Sequence, residues 1–192
     1  MTANADYMFH SLTPDRWPDL ERLFGPRGAV GGCWCMTMRL TRSEYERQKG
    51  EGNREAFRGI VEAGPPGVLA YAGDEPVGWC AVGPRTDYGL LARSRVLAPV
   101  DDAPVWSVTC FFIAKDCRRQ GLSLQLLNAA VEFAASRGAT VVEGYPVDPR
   151  QDNYPPAFAH TGLASAFLAA GFSEVARRSG TRPIMRLTIS DD

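Results

Sequence analysis

The chain has 192 residues, of which 45% are hydrophobic, and a formal net charge of −1. This length suits one domain, and we expect a single unit over residues 1–192 with its core at about 6–187. The lack of a basic excess argues against a nucleic-acid partner, because binding a run of phosphates needs surplus Lys and Arg. The N-terminal residues lack the basic and apolar parts of a signal peptide, and no run approaches the roughly 18 apolar residues of a membrane span. We therefore predict a cytoplasmic protein with no membrane partner.

The first elements along the chain are a strand and a helix. DYMFHSL, residues 6–12, is typical of a strand. TPDRWPDLERLF follows as a helix, with Thr13 as its N-cap and Pro14 at its first position. Gly25 ends this helix.

A second helix and a hairpin come next. Two overlapping pairs have capping-box spacing, Thr41 with Glu44 and Ser43 with Glu46. The helix itself is predicted from Asn53 to Gly64. The stretch GVLAYAGDEPVGWCAVG then contains two apolar runs around GDEP, which predicts a hairpin.

The five cysteines are an odd number that suits reduced thiols better than a disulfide framework. Cys33 and Cys35 in GGCWCM resemble half of a zinc site. A structural zinc ion needs four ligands, however, and the sequence has no second close cysteine pair and only His10 and His160 as histidines. We therefore predict packed or partly exposed thiols and no metal site.

The stretch VWSVTCFFI, residues 105–113, is apolar or small on both of its alternating faces, which predicts a central strand. A helix follows it and ends at Arg137 and Gly138. ATVVEGYPV is the next strand, so the three elements form a βαβ unit with parallel strands. A last helix closed by Gly171 and a final hairpin complete the predicted order β, α, α, β, β, β, α, β, α, β, β.

The loop between the central strand and its helix contains RRQGLS, residues 118–123. The first N–H groups of a helix have no partner and carry the positive end of the helix dipole. Gly121 allows close approach of the backbone to a ligand, Arg118 and Arg119 add positive charge, and Ser123 adds a hydroxyl. A pyrophosphate fits this arrangement, although exposed arginines at a helix start can also have no ligand.

RRQGLS also matches Arg/Gln-x-x-Gly-x-Gly/Ala, the pyrophosphate loop of enzymes that use acetyl-CoA, with Ser123 where Gly or Ala is usual. With the preceding strand and the later ASAFLAAGFSEVARR, this loop makes the chain resemble the GNAT family of N-acetyltransferases. The resemblance covers roughly residues 6–187. It implies an α/β fold with a mostly antiparallel, twisted sheet flanked by helices, and a central parallel βαβ unit that holds the pyrophosphate of coenzyme A.

The resemblance also implies an activity, namely direct transfer of an acetyl group from acetyl-CoA to an amine, with a small molecule as the expected acceptor. A homodimer is compatible with it. The implied ligand-binding residues are Arg118 as a support, the N–H groups of Arg119, Gln120, Gly121, Leu122 and Ser123 for the pyrophosphate, and the main chain of Phe111, Phe112 and Ile113 for the pantetheine arm. One strand N–H is expected to bind the thioester carbonyl like an oxyanion hole.

The catalytic acid and base are less well defined by the sequence. His160 is the first candidate for the base that activates the amine, although it could equally be a structural or solvent-facing histidine, and Glu143 is the second, with a surface carboxylate at a strand end as the alternative. The Tyr that the family usually carries four residues before the glycine of its Gly-Phe pair is replaced by Phe167. We expect Phe167 to pack beside the sulfur of the cofactor, and Tyr154 is the nearby candidate for the acid. Cys110 in the central strand is rejected as a nucleophile, because a buried apolar thiol is inert.

Two alternatives to an acetyltransferase remain open. A dinucleotide-binding oxidoreductase is suggested by Glu143, which follows Gly121 by 22 residues, but the loop has one glycine where three are required. A non-catalytic acyl-CoA sensor or interaction module is suggested by Phe167. The acceptor pocket is expected from residues 31–39, 84–102 and 145–160, and the loop aspartates that could attract a cationic amine or simply form turns are Asp101, Asp102, Asp148 and Asp152.

Overall fold

The computed structural model describes residues 6–149 and 159–189. Within them, seven strands form one sheet in the order β1-β2-β3-β4-β5-β7-β6. The strands are β1 Tyr7–Ser11, β2 Gly67–Ala72, β3 Glu75–Pro84, β4 Trp106–Ile113, β5 Val141–Gly144, β6 Ser173–Arg177 and β7 Pro183–Thr188. The β4–β5 pair is parallel and the other pairs are antiparallel. This mixed sheet with one parallel pair, flanked by helices, confirms the predicted fold class.

Six α-helices lie in the described residues, two more than the sequence predicted. They are α1 Trp17–Phe24, α2 Arg42–Gln48, α3 Glu51–Ala63, α4 Gly89–Arg93, α5 Leu122–Ala135 and α6 Ala164–Ala169. The helices that the prediction lacked are α2 and α4. Helix α2 is separated from α3 by Gly50, whose positive φ of 85° interrupts the helical backbone. Helix α4 is a single turn, which is too short to show a periodic pattern of apolar residues.

The start of α2 is fixed by one of the two predicted capping boxes. The Thr41 hydroxyl accepts from the Glu44 N–H at 3.2 Å, and the Glu44 carboxylate accepts from the Thr41 N–H at 2.8 Å. The Thr41 hydroxyl also donates to the Glu44 carboxylate at 2.7 Å, and this bond first, followed by the bond from the Thr41 N–H, lowers the pKa of Glu44. At α1 the prediction was less accurate, because Thr13 makes no side-chain cap and a short 3₁₀ turn at Pro14–Arg16 precedes the helix.

The strand β4 lies at the middle of the sheet, as its two apolar faces predicted. Val108 and Phe111 pack into the core beneath α5, whereas Cys110 and Phe112 pack against the aromatic core that α1 and α3 supply on the other face. The two faces of one strand thus serve two cores, and the irregularity of β4 against β3 puts Val108 and Cys110 in different ones. The fold presents the carboxyl end of β4 to the start of α5.

No helix among residues 6–149 and 159–189 is both long and apolar enough to cross a bilayer. All five cysteines have free thiols. In the same described residues, no cluster of three or more His, Cys, Asp or Glu side chains could hold a metal ion.

Candidate active site

The loop between β4 and α5 has the geometry of an anion-binding turn. Arg119 and Gly121 both have positive φ, 61° and 81°, and Gly121 is the N-cap of α5. Within the part of the chain that the structure describes, the N–H groups of residues 119–123 have no hydrogen-bond acceptor. A row of free N–H groups at the start of a 14-residue helix attracts an anion.

Side chains of the loop hold its shape and leave its outer surface open. The Arg118 Nε donates to the Ile113 carbonyl oxygen at 2.9 Å, and the Gln120 amide donates to the Asp116 carbonyl oxygen at 2.7 Å. No atom lies within 4 Å of the position that a Cβ would take on Gly121. A ligand can therefore approach the backbone closely at this residue.

The strands β4 and β5 separate just before this loop. They pair at three positions, the last being Val108 with Gly144, and an irregularity of β4 against β3 lies between Val108 and Cys110. Beyond this point, residues 160–163 lie between the two strands. The Phe111 N–H donates to the His160 carbonyl oxygen at 2.5 Å, and the Val147 N–H donates to the Gly162 carbonyl oxygen at 2.9 Å.

The main chain of β4 offers alternate residues to the gap. Phe111 uses its N–H on the side away from β3, so by the alternation of an antiparallel pair Ile113 faces the same way and Phe112 faces β3. Of the three strand residues predicted to contact pantetheine, Phe111 and Ile113 therefore face the gap, and the N–H of Phe112 belongs to the sheet.

His160 lies at the edge of a cavity of about 280 Å³ on the α1 side of β4. The cavity is also lined by Phe111 and Phe112 and by Cys110, so it reaches the strand end that faces the gap. The Trp79 indole N–H donates to the Cys35 sulfur at 3.0 Å at the wall of this cavity. Hydrogen bonding, to Cys110 first and then to Trp79, lowers the pKa of the Cys35 thiol.

Glu143, the second candidate base, is completely buried rather than on the surface. Its carboxylate accepts from Arg85 at 2.8 Å and from Arg186 at 2.6 Å, and it also accepts the Tyr145 hydroxyl at 2.6 Å. Burial first, and then the charge of Glu143, raises the pKa of Tyr145. Two guanidinium groups and a hydroxyl already bind this carboxylate, so we propose a structural role for Glu143 as an anchor of β5, and its role as the base stays a prediction.

Phe167 is also buried, with no accessible surface. Its ring lies against Gly144, where a Cβ would fall 2.0 Å from a ring carbon, and it makes edge contacts with Phe111 and Phe172. Contact of this ring with the cofactor's sulfur stays a prediction; among the described residues the ring is enclosed by Gly144, Gly162 and the two phenylalanine rings. The Phe167 ring packs against Phe111, close to the end of β4.

Two of the sequence candidates, Asp101 and Asp148, do not line the cavity. Tyr154 and Asp152 lie outside the described residues. Asp101 is bound by Arg186 through two bonds of 2.6 and 3.0 Å, and Asp148 is bound by Arg177 at 2.8 Å. Arginines thus already neutralise two of the aspartates that could have attracted a cationic acceptor.

The sequence profile of the acetyltransferase (GNAT) family matches residues 34–153, more than half of the chain. This chain belongs to the GNAT family of acetyltransferases. No curated protein matches the sequence.

Solved structures agree with the GNAT assignment at the level of the fold. A GNAT acetyltransferase from Listeria monocytogenes has a TM-score of 0.60 at 8% identity, covering 98% of each chain. PaiA N-acetyltransferase from Thermoplasma acidophilum, solved with coenzyme A, has 0.56 at 13% identity, covering 96% of this chain and 99% of the other. Arabidopsis thaliana NAA60, solved with acetyl-CoA, has a TM-score of 0.55 at 14% identity, and the match covers 96% of this chain and 100% of the other.

Sequence reasoning missed two features of this GNAT protein. The pairing of Arg85 and Arg186 with Glu143 joins residues 58 and 43 positions apart, and nothing local in the sequence indicates it. The second feature is the backbone at the cavity wall, where Ala29, Trp34 and Cys35 have positive φ without being glycine. The glycine-rich stretch that contains them was the only available signal.

Proposed function

We propose that this chain is an N-acetyltransferase that moves the acetyl group of acetyl-CoA directly to an amine. The observation that carries the proposal is the row of free N–H groups at residues 119–123, flanked by Arg118 and Arg119, at the start of α5. A pyrophosphate on these groups gains charge-assisted hydrogen bonds from a preformed donor set. Acetyl-CoA is accordingly the proposed co-substrate.

The pantetheine arm then follows the gap between β4 and β5 towards the cavity. In the proposed reaction the amine nitrogen attacks the thioester carbonyl, and the tetrahedral oxyanion accepts a hydrogen bond from the Phe111 N–H. The C–S bond breaks, the acetyl group stays on nitrogen, and the sulfur leaves as a thiolate. His160 takes the proton that the amine loses, and water or Tyr154 supplies the proton for the thiolate.

This activity needs neither a metal nor a covalent enzyme intermediate. Cys110 is unsuited to act as a nucleophile, because its hydrogen bond to Cys35, and then the low solvation of its thiol, raise its pKa well above the ordinary value. We propose that the chain acts in the cytoplasm as one domain, with a homodimer compatible with this activity.

The test has two parts. Calorimetry with acetyl-CoA and with NAD should give binding of acetyl-CoA alone, and an amine panel should accelerate release of free thiol. Binding of NAD in place of acetyl-CoA would contradict the proposal. Tight binding of acetyl-CoA with no thiol release from any amine would leave the acyl-CoA sensor as the function.

A further inference from the structure

The cavity beside β4 is lined by side chains whose chemistry indicates the kind of acceptor that it binds. Aromatic rings form part of the wall, with Phe24 and Phe112 in edge contact at a centroid distance of 5.3 Å. Its polar groups are three thiols, the Thr37 and Tyr45 hydroxyls and the His160 ring. Among the described residues that line the cavity, none is Asp, Glu, Lys or Arg.

The backbone around this cavity is strained, which sets it apart from ordinary packing. Four non-glycine residues in the described chain have positive φ, and three of them, Ala29, Trp34 and Cys35, lie in the segment that forms its wall. Such conformations cost about 1–3 kcal/mol each and cluster at ligand sites. Val30 lies at the cavity with 53% of its surface exposed, an apolar side chain left open to solvent.

The described wall of the cavity offers no counter-charge to a polycation. Two of the four aspartates that could have recognised an ammonium group, Asp101 and Asp148, are paired with Arg186 and Arg177. An ammonium group placed in an apolar cavity without a counter-charge loses its hydration and gains little in return. An amine that is neutral near pH 7 avoids this cost and needs no deprotonation before it attacks.

The size of the cavity limits the ligand to a small body. An engineered cavity of about 150 Å³ lined by apolar side chains holds a benzene molecule. A volume of about 280 Å³ accommodates one ring with a short substituent, and the cavity is lined by His160 and Phe111, between which the proposed reaction places the amine and the thioester. We infer that the acceptor is a monoamine carried on one small aromatic ring, with a weakly basic arylamine as the best fit. This inference rests on the proposed acetyl transfer.

The inference is tested with four acceptors, p-toluidine and benzylamine as ring monoamines and cadaverine and lysine as chains with a second charge. We expect kcat/KM for the ring monoamines to exceed that for the charged chains at least tenfold. Thr37 is exposed at the cavity, so Thr37→Asp adds a carboxylate at low structural cost. We expect Thr37→Asp to shift the ratio of kcat/KM for p-toluidine to kcat/KM for cadaverine at least tenfold towards cadaverine. Thr37→Asn, which has the shape of the aspartate without its charge, should leave this ratio unchanged.

Binding of p-toluidine in the absence of acetyl-CoA tests the cavity without turnover. The measurement is the rise in melting temperature of the wild-type protein when p-toluidine is added. Equal or better use of cadaverine or lysine by the wild-type protein overturns the inference, as does acetyl-CoA binding with no turnover of either ring amine. Failure of acetyl-CoA to bind contradicts the proposed function instead. In that case thermal stabilisation by p-toluidine, lost in the cavity-filling variant Val30→Trp, still supports the aromatic site, and its absence in the wild-type protein overturns it.

Discussion

The Phe111 N–H and the His160 carbonyl oxygen are joined by a hydrogen bond of 2.5 Å across the gap between β4 and β5. This N–H is the donor that the proposed reaction assigns to the thioester oxygen. The bound cofactor and the His160 carbonyl group therefore compete for one donor. The segment 160–163 must give up this hydrogen bond when the pantetheine arm enters.

We accordingly expect acetyl-CoA to lower the protection of the segment 160–163 while it raises the protection of residues 119–123. The reason is that one hydrogen bond is exchanged for another at Phe111, and free N–H groups gain a ligand at the loop. Hydrogen–deuterium exchange with and without acetyl-CoA measures both effects. Increased protection of 160–163 would mean that the Phe111–His160 bond persists and that Ile113 is the donor to the thioester.

Replacing Gly121 by Leu should weaken acetyl-CoA binding well over tenfold, more than about 1.4 kcal/mol. The side chain would occupy the open space beside the loop, and calorimetry measures the loss. Gly138 offers a matched control, since it has a φ of 83° against 81° for Gly121 and equally open surroundings. Both variants should lose about 1–2 kcal/mol of stability through backbone strain. Only the change at 121 should alter affinity, and equal affinities would rule out the loop as the pyrophosphate site.

Substitutions at the two candidate bases, His160 and Glu143, should have different effects on turnover and on stability. Removing the imidazole in His160→Ala should lower turnover by about 10² to 10⁴ with acetyl-CoA affinity retained. The readout is thiol release at saturating cofactor. A variant with full turnover across the pH range would exclude His160 as the base.

Glu143→Gln should act mainly on stability, because it leaves Arg85 and Arg186 without their buried counter-charge. Loss of one partner from a buried ion pair costs about 3–5 kcal/mol, and urea unfolding measures it. Glu174→Gln removes an exposed partner of Arg177 and should cost less than about 1 kcal/mol. A large loss of turnover in folded Glu143→Gln, with stability unchanged, would restore Glu143 as the base.

A tyrosine at position 167 should not restore a missing acid. The ring of Phe167 is enclosed, so Phe167→Tyr buries a hydroxyl among other rings and should lower the free energy of unfolding by about 1–3 kcal/mol. We expect the affinity of this variant for acetyl-CoA to stay nearly unchanged and its turnover to be the same or somewhat higher. Tyr154→Phe is the companion variant: a hundredfold loss of turnover with intact binding, about 2.7 kcal/mol, would identify Tyr154 as the acid.

The ion pair between Asp101 and Arg186 should contribute to the acid limb of stability. Hydrogen bonding to Arg186, more than any other interaction, lowers the pKa of Asp101 in the folded state. Its contribution is therefore present above the unfolded pKa of about 3.9 and is lost as the pH falls through the lower folded value. Asp101→Asn should flatten the decrease of melting temperature below about pH 4. An identical acid limb in this variant would show that the pair adds no stability.

Local sequence signals determined much of this protein. The two apolar faces of residues 105–113 predicted a central strand, and the GDEP stretch predicted the β2–β3 hairpin. RRQGLS predicted a loop that leads into a helix, and Gly121 is the N-cap of α5. These features depend on neighbours within a few residues, so periodicity and turn chemistry suffice to predict them.

The tertiary structure alone decided which distant residues meet. The final hairpin inserts β7 beside β5, and this brings Arg186 to the buried carboxylate of Glu143. Packing also covers Phe167 and places the 160–163 segment in the gap beside Phe111. Each of these contacts joins residues far apart in the chain, and their burial and pairing depend on the strand order, which local patterns do not encode.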